Sequence, residues 1–587
     1  MLGAHDILIY DSDTLRRLVR LDVIDVGGAY PVRELLDGFP VGSVSHWTLP
    51  MDWVIRALDP MVSWIFPVES GYEAGAILTG PLLALLSTLV LMLGCRRIFG
   101  PSAALVAGLI HAGAYSVVNV SMLGNGDHQN LQHLCVLAGL MGLWVAIHEN
   151  KESRGLGAGA ALGLAIWVSA ESMTIFYLLA ASLFVLVAWP AGEGLREARR
   201  RLVWRWSTGL LAVMLLGHLA EHVGDLSAFH WDVLSLFQIY QVAVFALFAG
   251  FLSVLSAAGW VRVMAVAAMS LMVGLVPILV SDGLRGAIAL QFEQVADLNV
   301  WLQNEVSEYR SLWSEGFGAM IERDSFLIIA LPLFLMGLIA SRALGAPLRS
   351  SILLMALATF GLELWEVKLG HLFAMTFPVA VVGGYLGLRE RFRPSPGGYW
   401  GDWLAVVVAV FAVALSLPSS RDPVLFESDR ATRQICKELR QRSEDLGWSE
   451  RSVLAPWDMG AEIMYRARLP VVASGYHRNI EGIRDGYRVF LAGRDQREEA
   501  QTIIDDRKVG WVVAWYSRDP FLEVAPLTIG RPSMGNVGEF TAAAKESLFW
   551  QLRYQGRVPG LRLYKDGPVV QLSTGKEPMY RIFEVVR

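Results

Sequence analysis

Charge is scarce in this chain. Only 18% of its 587 residues are Asp, Glu, Lys or Arg, where a water-soluble protein carries about a quarter. Hydrophobic residues make up 54% and the mean hydropathy is +0.43. A soluble core cannot hide that much apolar surface, so lipid is the expected solvent for most of the chain. Cysteine is almost absent: Cys95, Cys135 and Cys436 stand apart, with no CxxC or Cys/His spacing. That excludes a disulfide framework and a zinc site of the usual spacing. The net charge of −5 gives no reason to expect nucleic acid as a partner. The opening MLGAHDILIYDSD lacks the basic, apolar and small-residue regions of a signal peptide. Internal repeats and low-complexity linkers are missing as well.

What the chain does have is a series of apolar stretches long enough to span a bilayer, roughly 17–25 residues each. They run from Ile77 to Leu417 and predict twelve spans, centred near residues 87, 111, 139, 163, 180, 211, 244, 270, 333, 358, 379 and 409. Only the Ser169–Ser172 break separates the fourth from the fifth. Every second connection is basic: Arg96 and Arg97; Lys151 and Arg154; Arg196, Arg199, Arg200, Arg201 and Arg205; Arg262; Arg342 and Arg349; Arg389, Arg391 and Arg393. The intervening short turns hold almost no Lys or Arg, Lys368 excepted. This is the positive-inside pattern. It puts the N-terminus, the Asp127 turn, the long loop from about Ser281 to Ser325 and everything after Leu417 on one non-cytoplasmic side.

Residues 420–587 are richer in charge. LPVVAS, VGWVVAWY, GLRLY and RIFEVV read as short strands, and ATRQICKELRQRSEDLG reads as a helix closed by Gly447. The expected architecture is a polytopic α-helical membrane domain over 1–418 and a mixed α/β soluble domain over 419–587. The Arg-rich loops and compact C-terminal part favour a bacterial inner membrane and a monomer.

The outer side collects acids: Asp11 and Asp13, Asp127 in GNGDHQN, Glu221 and Asp225, Glu308 in NEVSEYR, and Asp458 in APWDMG. A carboxylate at a membrane-facing turn is costly unless hydrated, paired or bound to a cation. Hard divalent cations take such oxygen ligands. For any one of these acids alone, a solvated turn residue is the favoured reading. Trp47, Trp53, Trp231 and Trp260 fit membrane-belt anchors. His46 and Trp47 fit substrate contacts or an interfacial helix equally well, and Glu171 fits an aqueous site or a span boundary. Arg310 and Arg323 suit either phosphate or solvent.

Four segments together resemble the catalytic subunits of oligosaccharyltransferase. YDSDTLRRLVRLDV is similar to their first outer loop, with Asp13 at the metal-binding position. GNGDHQNLQHL resembles the second-loop motif, with Asp127 as its first acid. EVSE, ending in Glu308, resembles the fifth-loop motif. APWDMG resembles the Trp-Trp-Asp-Tyr-Gly signature, and RLPVVASGYHRN the stretch after it. Order, membrane side and approximate intervals agree along nearly the whole chain.

The resemblance implies a C-type glycosyltransferase fold. It also implies transfer of an oligosaccharide from a polyprenyl-pyrophosphate donor to an Asn side chain of an acceptor polypeptide. Asp13 and Asp127 would hold Mg²⁺ or Mn²⁺, Glu308 would sit by the acceptor amide, and Trp457 and Asp458 would hold the sequon hydroxyl.

The motifs also depart from the family pattern. Gln129 stands at the second acidic position of the second-loop motif and brings a carbonyl oxygen but no charge; His128 is the alternative ligand. Pro456 and Met459 replace signature aromatics. His371, or Lys368 one helical turn away, stands where the family has a phosphate-binding Arg. The family's first span precedes its first outer loop, so a start upstream of Met1 is expected. Two other functions compete: a C-type transferase with a lipid, glycan or hydroxyl acceptor, and a lipid-linked sugar transporter, which would carry repeats with broken helices.

Overall fold

The computed structural model describes residues 11–27, 33–65, 71–255, 259–305, 311–315, 326–342, 344–366, 369–392, 423–515, 525–536, 539–572 and 575–586. It begins with α1 (Ser12–Asp25), a ribbon of β1 (Arg33–Glu34) and β2 (Ser43–Val44), and α2 (Leu49–Val62). The membrane helices follow as α3 (Glu73–Phe99), α4 (Pro101–Gly113) with the short α5 (Tyr115–Val120), α6 (His128–Glu149), α7 (Arg154–Val168), α8 (Met173–Ala188), α9 (Glu193–Glu221), α10 (Leu236–Val254) and α11 (Trp260–Val280). Then come α12 (Asp282–Glu305), α13 (Leu331–Ala340), α14 (Ala346–Trp365) and α15 (Gly370–Phe392).

Among the described residues eight helices are long and apolar enough to cross a membrane, with three shorter apolar ones, Pro101–Gly113, Arg154–Val168 and Ile328–Ala340. Each of the first eleven predicted span centres falls in one of these; the twelfth, near residue 409, lies outside the described residues. The fourth and fifth predicted spans are α7 and α8, separated by a 3₁₀ turn at Ala170–Ser172. Helices approach closely through small residues, which is how bundles pack where lipid is as apolar as leucine. A Cβ on Gly159 of α7 would lie 1.9 Å from the Trp206 carbonyl of α9.

The C-terminal part opens with α16 (Pro423–Leu446) and ends that helix at Gly447, whose φ is +67°, the left-handed conformation in which glycine ends helices. Its sheet has the order β3 (Ser452–Leu454), β4 (Val509–Trp515), β6 (Tyr580–Val585), β5 (Leu561–Asp566). β3 runs parallel to β4, and the other two pairings are antiparallel. β4 is buried at every position, as a continuous apolar run in a central strand should be. LPVVAS does not form a strand. Its Val471 makes isolated bridges to Asp37 and Val453 instead, donating to the Leu36 carbonyl at 2.7 Å and accepting from Phe39 N–H at 3.1 Å. Its backbone pairs on one side with Val453 of β3, which donates to the Pro470 carbonyl at 2.8 Å and accepts from Val472 N–H at 3.1 Å, and on the other with the loop between α1 and α2.

That loop is anchored by three arginines of α1, all buried. Arg16 pairs with Glu34 at 2.5 Å and Asp37 at 2.9 Å, and its guanidinium stacks 3.7 Å from the Tyr476 ring centroid. Arg17 and Arg20 share Asp52 of α2, at 2.6 and 3.1 Å. Separating a buried ion from its counter-charge is strongly unfavourable, so these ion pairs fix where α1 points.

Candidate active site

Asp13 and Asp127 are brought together by the chain segments beside them. Asp11 caps α1, accepting from Thr14 N–H at 2.7 Å and its hydroxyl at 2.6 Å. The same hydroxyl accepts the Gly126 N–H at 2.8 Å. Asp127 caps α6, the usual role of Asp ahead of a helix. The GNGD turn lies flat on α3 because Gly80 lets it; a Cβ there would lie 2.5 Å from the Asn125 carbonyl.

The result is a cluster of Asp13, Asp127 and His128 whose potential ligand atoms all lie within 4.8 Å of one another. His128 Nδ1 is 2.5 Å from Asp127 Oδ1 in an alignment that makes no hydrogen bond. Two carboxylates and an imidazole facing one centre fit a divalent cation. Burial pushes the Asp127 carboxyl up, but His128 and Arg17 outweigh it and hold it below its ordinary value. Asp127 is therefore ionised, as a metal ligand must be. Gln129 is half-buried in the first turn of α6.

Beside the cluster opens a cavity of about 470 Å³, and Asp13 and His128 form part of its wall. Membrane-side walls come from His46, Trp47, Glu171 and Trp231; the C-terminal part adds Trp457 and His477. Trp301 of α12 meets Trp457 edge-on at 5.5 Å between centroids. Trp47 and Trp231 thus face the cavity and are not belt anchors. Trp47 is buried, packs edge-on against His128 at 5.0 Å, and keeps its Nε1–H without a hydrogen-bond partner among the described residues. Trp53 and Trp260 are exposed.

The remaining sequence candidates divide. Asp458 is exposed and lies outside the cavity lining. His371 is buried at the start of α15, its ring 5.2 Å from His133 of α6, and it too lies outside that lining. Glu308 and Lys368, like Arg310 and Arg323, lie outside the described residues. Glu221 is no solvated turn acid: it is buried and accepts from Leu49 N–H and Trp167 Nε1–H, both at 2.7 Å.

A polar group that sequence reasoning missed forms another wall. Asp232, in the loop before α10, accepts from His477 Nε2 at 2.8 Å and from Arg478 at 2.8 and 2.7 Å. Burial would raise its carboxyl, but those two partners hold it well below the usual range. His46 Nδ1 lies 2.7 Å from the Tyr476 hydroxyl. Burial, with His477 adjacent, pushes the His46 imidazole well down and burial pushes the Tyr476 phenol up, so both are neutral near pH 7. The GYHRN stretch had stood out in sequence; nothing local marks Asp232.

Residues 60–220 match the model of the dolichyl-phosphate-mannose-protein mannosyltransferase family. No curated protein matches the sequence. The structure is similar to the archaeal oligosaccharyltransferase AglB from Archaeoglobus fulgidus solved with an inhibitory peptide and a dolichol-phosphate. The TM-score is 0.74 at 13% identity, over 98% of this chain and 84% of that one. An A. fulgidus oligosaccharyltransferase tethered to an acceptor peptide containing the NVT sequon gives 0.72 at 14%, with the same shares covered. A complex of that organism's oligosaccharyltransferase with Zn and sulfate gives 0.67 at 13%, again over 98% and 84%. The expectation from the sequence motifs is met at the level of fold: this is a polytopic membrane chain with the C-type glycosyltransferase fold of the oligosaccharyltransferase kind, followed by a sheet-containing C-terminal domain.

Proposed function

We propose that the protein transfers an oligosaccharide from a polyprenyl-pyrophosphate donor to the side-chain amide of Asn in acceptor polypeptides. The convergence of Asp13, Asp127 and His128 beside a cavity walled by both membrane loops and Trp457 carries this reading. An amide nitrogen is a weak nucleophile, so the reaction needs a stabilised leaving group and an oriented acceptor. A divalent cation held by the three side chains would neutralise charge on the departing polyprenyl pyrophosphate. Mn²⁺ suits two carboxylates and one imidazole better than Mg²⁺, which prefers oxygen. Gln129 is the reserve group for the metal, and His371 or Lys368, three positions earlier in sequence, for the phosphate. Glu308 orients the acceptor amide, and Trp457 with Asp458 receives the sequon hydroxyl. The division at 418/419 separates membrane and soluble domains, with the catalytic face and the latter outside the cytoplasm of a bacterial cell. The enzyme works as a monomer.

Product formation with an Asn-x-Thr peptide, lost when Asn is replaced by Gln, tests the acceptor. A second reading keeps the donor but uses a lipid, glycan or hydroxyl acceptor; the exposure of Asp458, away from the cavity lining, favours it. Undiminished transfer to an acceptor whose sequon Asn is replaced by Gln would select that second reading.

A further inference from the structure

Asp232 is the most fully engaged carboxylate near the cavity that the transfer chemistry above does not use. It sits in the loop joining α9 to α10, its side chain 8% exposed, and every strong bond it makes crosses to the C-terminal domain. Arg478 takes it from one side through Nε and Nη2, a two-point clamp that matches guanidinium to carboxylate geometry. His477 meets the oxygen Oδ2 with its Nε2. A carboxylate can only accept, so His477 presents an N–H at Nε2 to Asp232. In the neutral imidazole Nδ1 then carries the lone pair. Among the described residues nothing hydrogen-bonds Nδ1, while the ring lines the cavity and is 20% exposed. The ring is confined on its other sides by His46 at 4.6 Å, Tyr476 at 5.2 Å and Trp231 at 5.9 Å between centroids.

We propose that Asp232 is a positioning residue for transfer: it fixes His477 as the Nε2–H tautomer and turns the Nδ1 lone pair to the cavity, to accept a hydrogen bond from a hydroxyl or amide N–H of a bound glycan or peptide. The inference rests on the transfer reading above and adds to it a residue whose effect passes through His477. Arg478 serves differently. It neutralises Asp232 and ties the two parts of the chain together, and it is not needed to set the tautomer.

The test uses the full-length protein in nanodiscs, a labelled polyprenyl-pyrophosphate N-acetylhexosamine donor and a fluorescent Asn-x-Thr peptide. Asp232→Asn should lower kcat roughly 10- to 100-fold, the cost of losing a partner that orients a histidine ring, with the peptide KM changed less than twofold. Asp232→Glu should recover part of the loss, and Arg478→Gln should keep kcat near the wild-type value. In a His477→Phe background, Asp232→Asn should have no further effect. An unchanged kcat in Asp232→Asn, an equal loss in Arg478→Gln, or an undiminished Asp232→Asn effect in the His477→Phe background would each overturn the proposal. If the wild type transfers nothing, the transfer reading falls, and ring-¹⁵N shifts of His477 decide the positioning. The Nε2–H tautomer in wild type, lost in Asp232→Asn, supports it; an Nδ1–H tautomer in the wild type overturns it.

Discussion

Thr14 and Gly126 are joined by one hydrogen bond, from the Gly126 N–H to the Thr14 hydroxyl at 2.8 Å, and the two acids of the candidate metal centre are their neighbours in sequence. Asp13 precedes one partner and Asp127 follows the other. The bond ties the start of α1 to the turn before α6, and the Thr14 hydroxyl is itself held by Asp11 at 2.6 Å. Thr14→Val keeps the shape and removes both bonds. It should weaken Mn²⁺ binding roughly 10-fold, as loss of a supporting bond behind a metal ligand does. Titration of the purified protein with Mn²⁺, followed by electron paramagnetic resonance, measures this.

Removing the ligands themselves should be more severe. Asp13→Ala and Asp127→Ala are each expected to abolish transfer and to lose the Mn²⁺ signal altogether. Retained activity in both would remove the metal assignment.

The α1 arginines make a prediction about stability. Asp52 is buried and shared by Arg17 and Arg20. Asp52→Ala leaves two buried guanidinium groups with neutral partners but without this counter-charge, at a cost of roughly 3–5 kcal/mol. The melting temperature should fall accordingly, and metal binding with it, because α1 carries Asp13. A melting curve unchanged from the wild type would contradict the role given to this pair of bonds.

Acid should weaken the fold through His46. Its imidazole is held well below the ordinary value by burial and by His477. The unfolded chain takes up that proton near pH 6.5 while the folded chain refuses it. Stability contributed by neutral His46 is therefore present above pH 6.5 and declines as pH falls below it. Melting temperature measured from pH 7.5 to 5 should drop more steeply for the wild type than for His46→Gln; parallel slopes would contradict this.

Trp457→Ala should raise the peptide KM about fivefold, near 1 kcal/mol, as expected for one half of an aromatic pair. Its partner Trp301 stands 5.5 Å away on α12. Binding of the donor, followed by fluorescence, should be unaffected; a matched loss of donor binding would move Trp457 to the other substrate.

Local patterns in the sequence revealed what local forces determine. Hydropathy placed the membrane helices, since lipid solvation acts on each segment by itself. The GNGD turn was legible because a capping Asp and glycines sit in one short motif. Asp232 was not, since its partners lie about 245 positions away and no spacing rule connects them. LPVVAS carried a strand pattern, yet its backbone divides its hydrogen bonds between Val453 of β3 and the distant loop between α1 and α2 and makes only isolated bridges. Trp47 and Trp231 had belt-like positions, but their side chains turn into the cavity, a choice made by tertiary packing. His128 was legible as an alternative to Gln129, and the backbone at the α6 cap brings its ring to Asp127.

The most direct test of the central claim is transfer from a labelled polyprenyl-pyrophosphate glycan to a fluorescent Asn-x-Thr peptide, with Mn²⁺ and with EDTA. Product with Mn²⁺, none with EDTA, and recovery when Mn²⁺ is restored are the expected results. Equal product in both, or no product while the donor demonstrably binds, would contradict it.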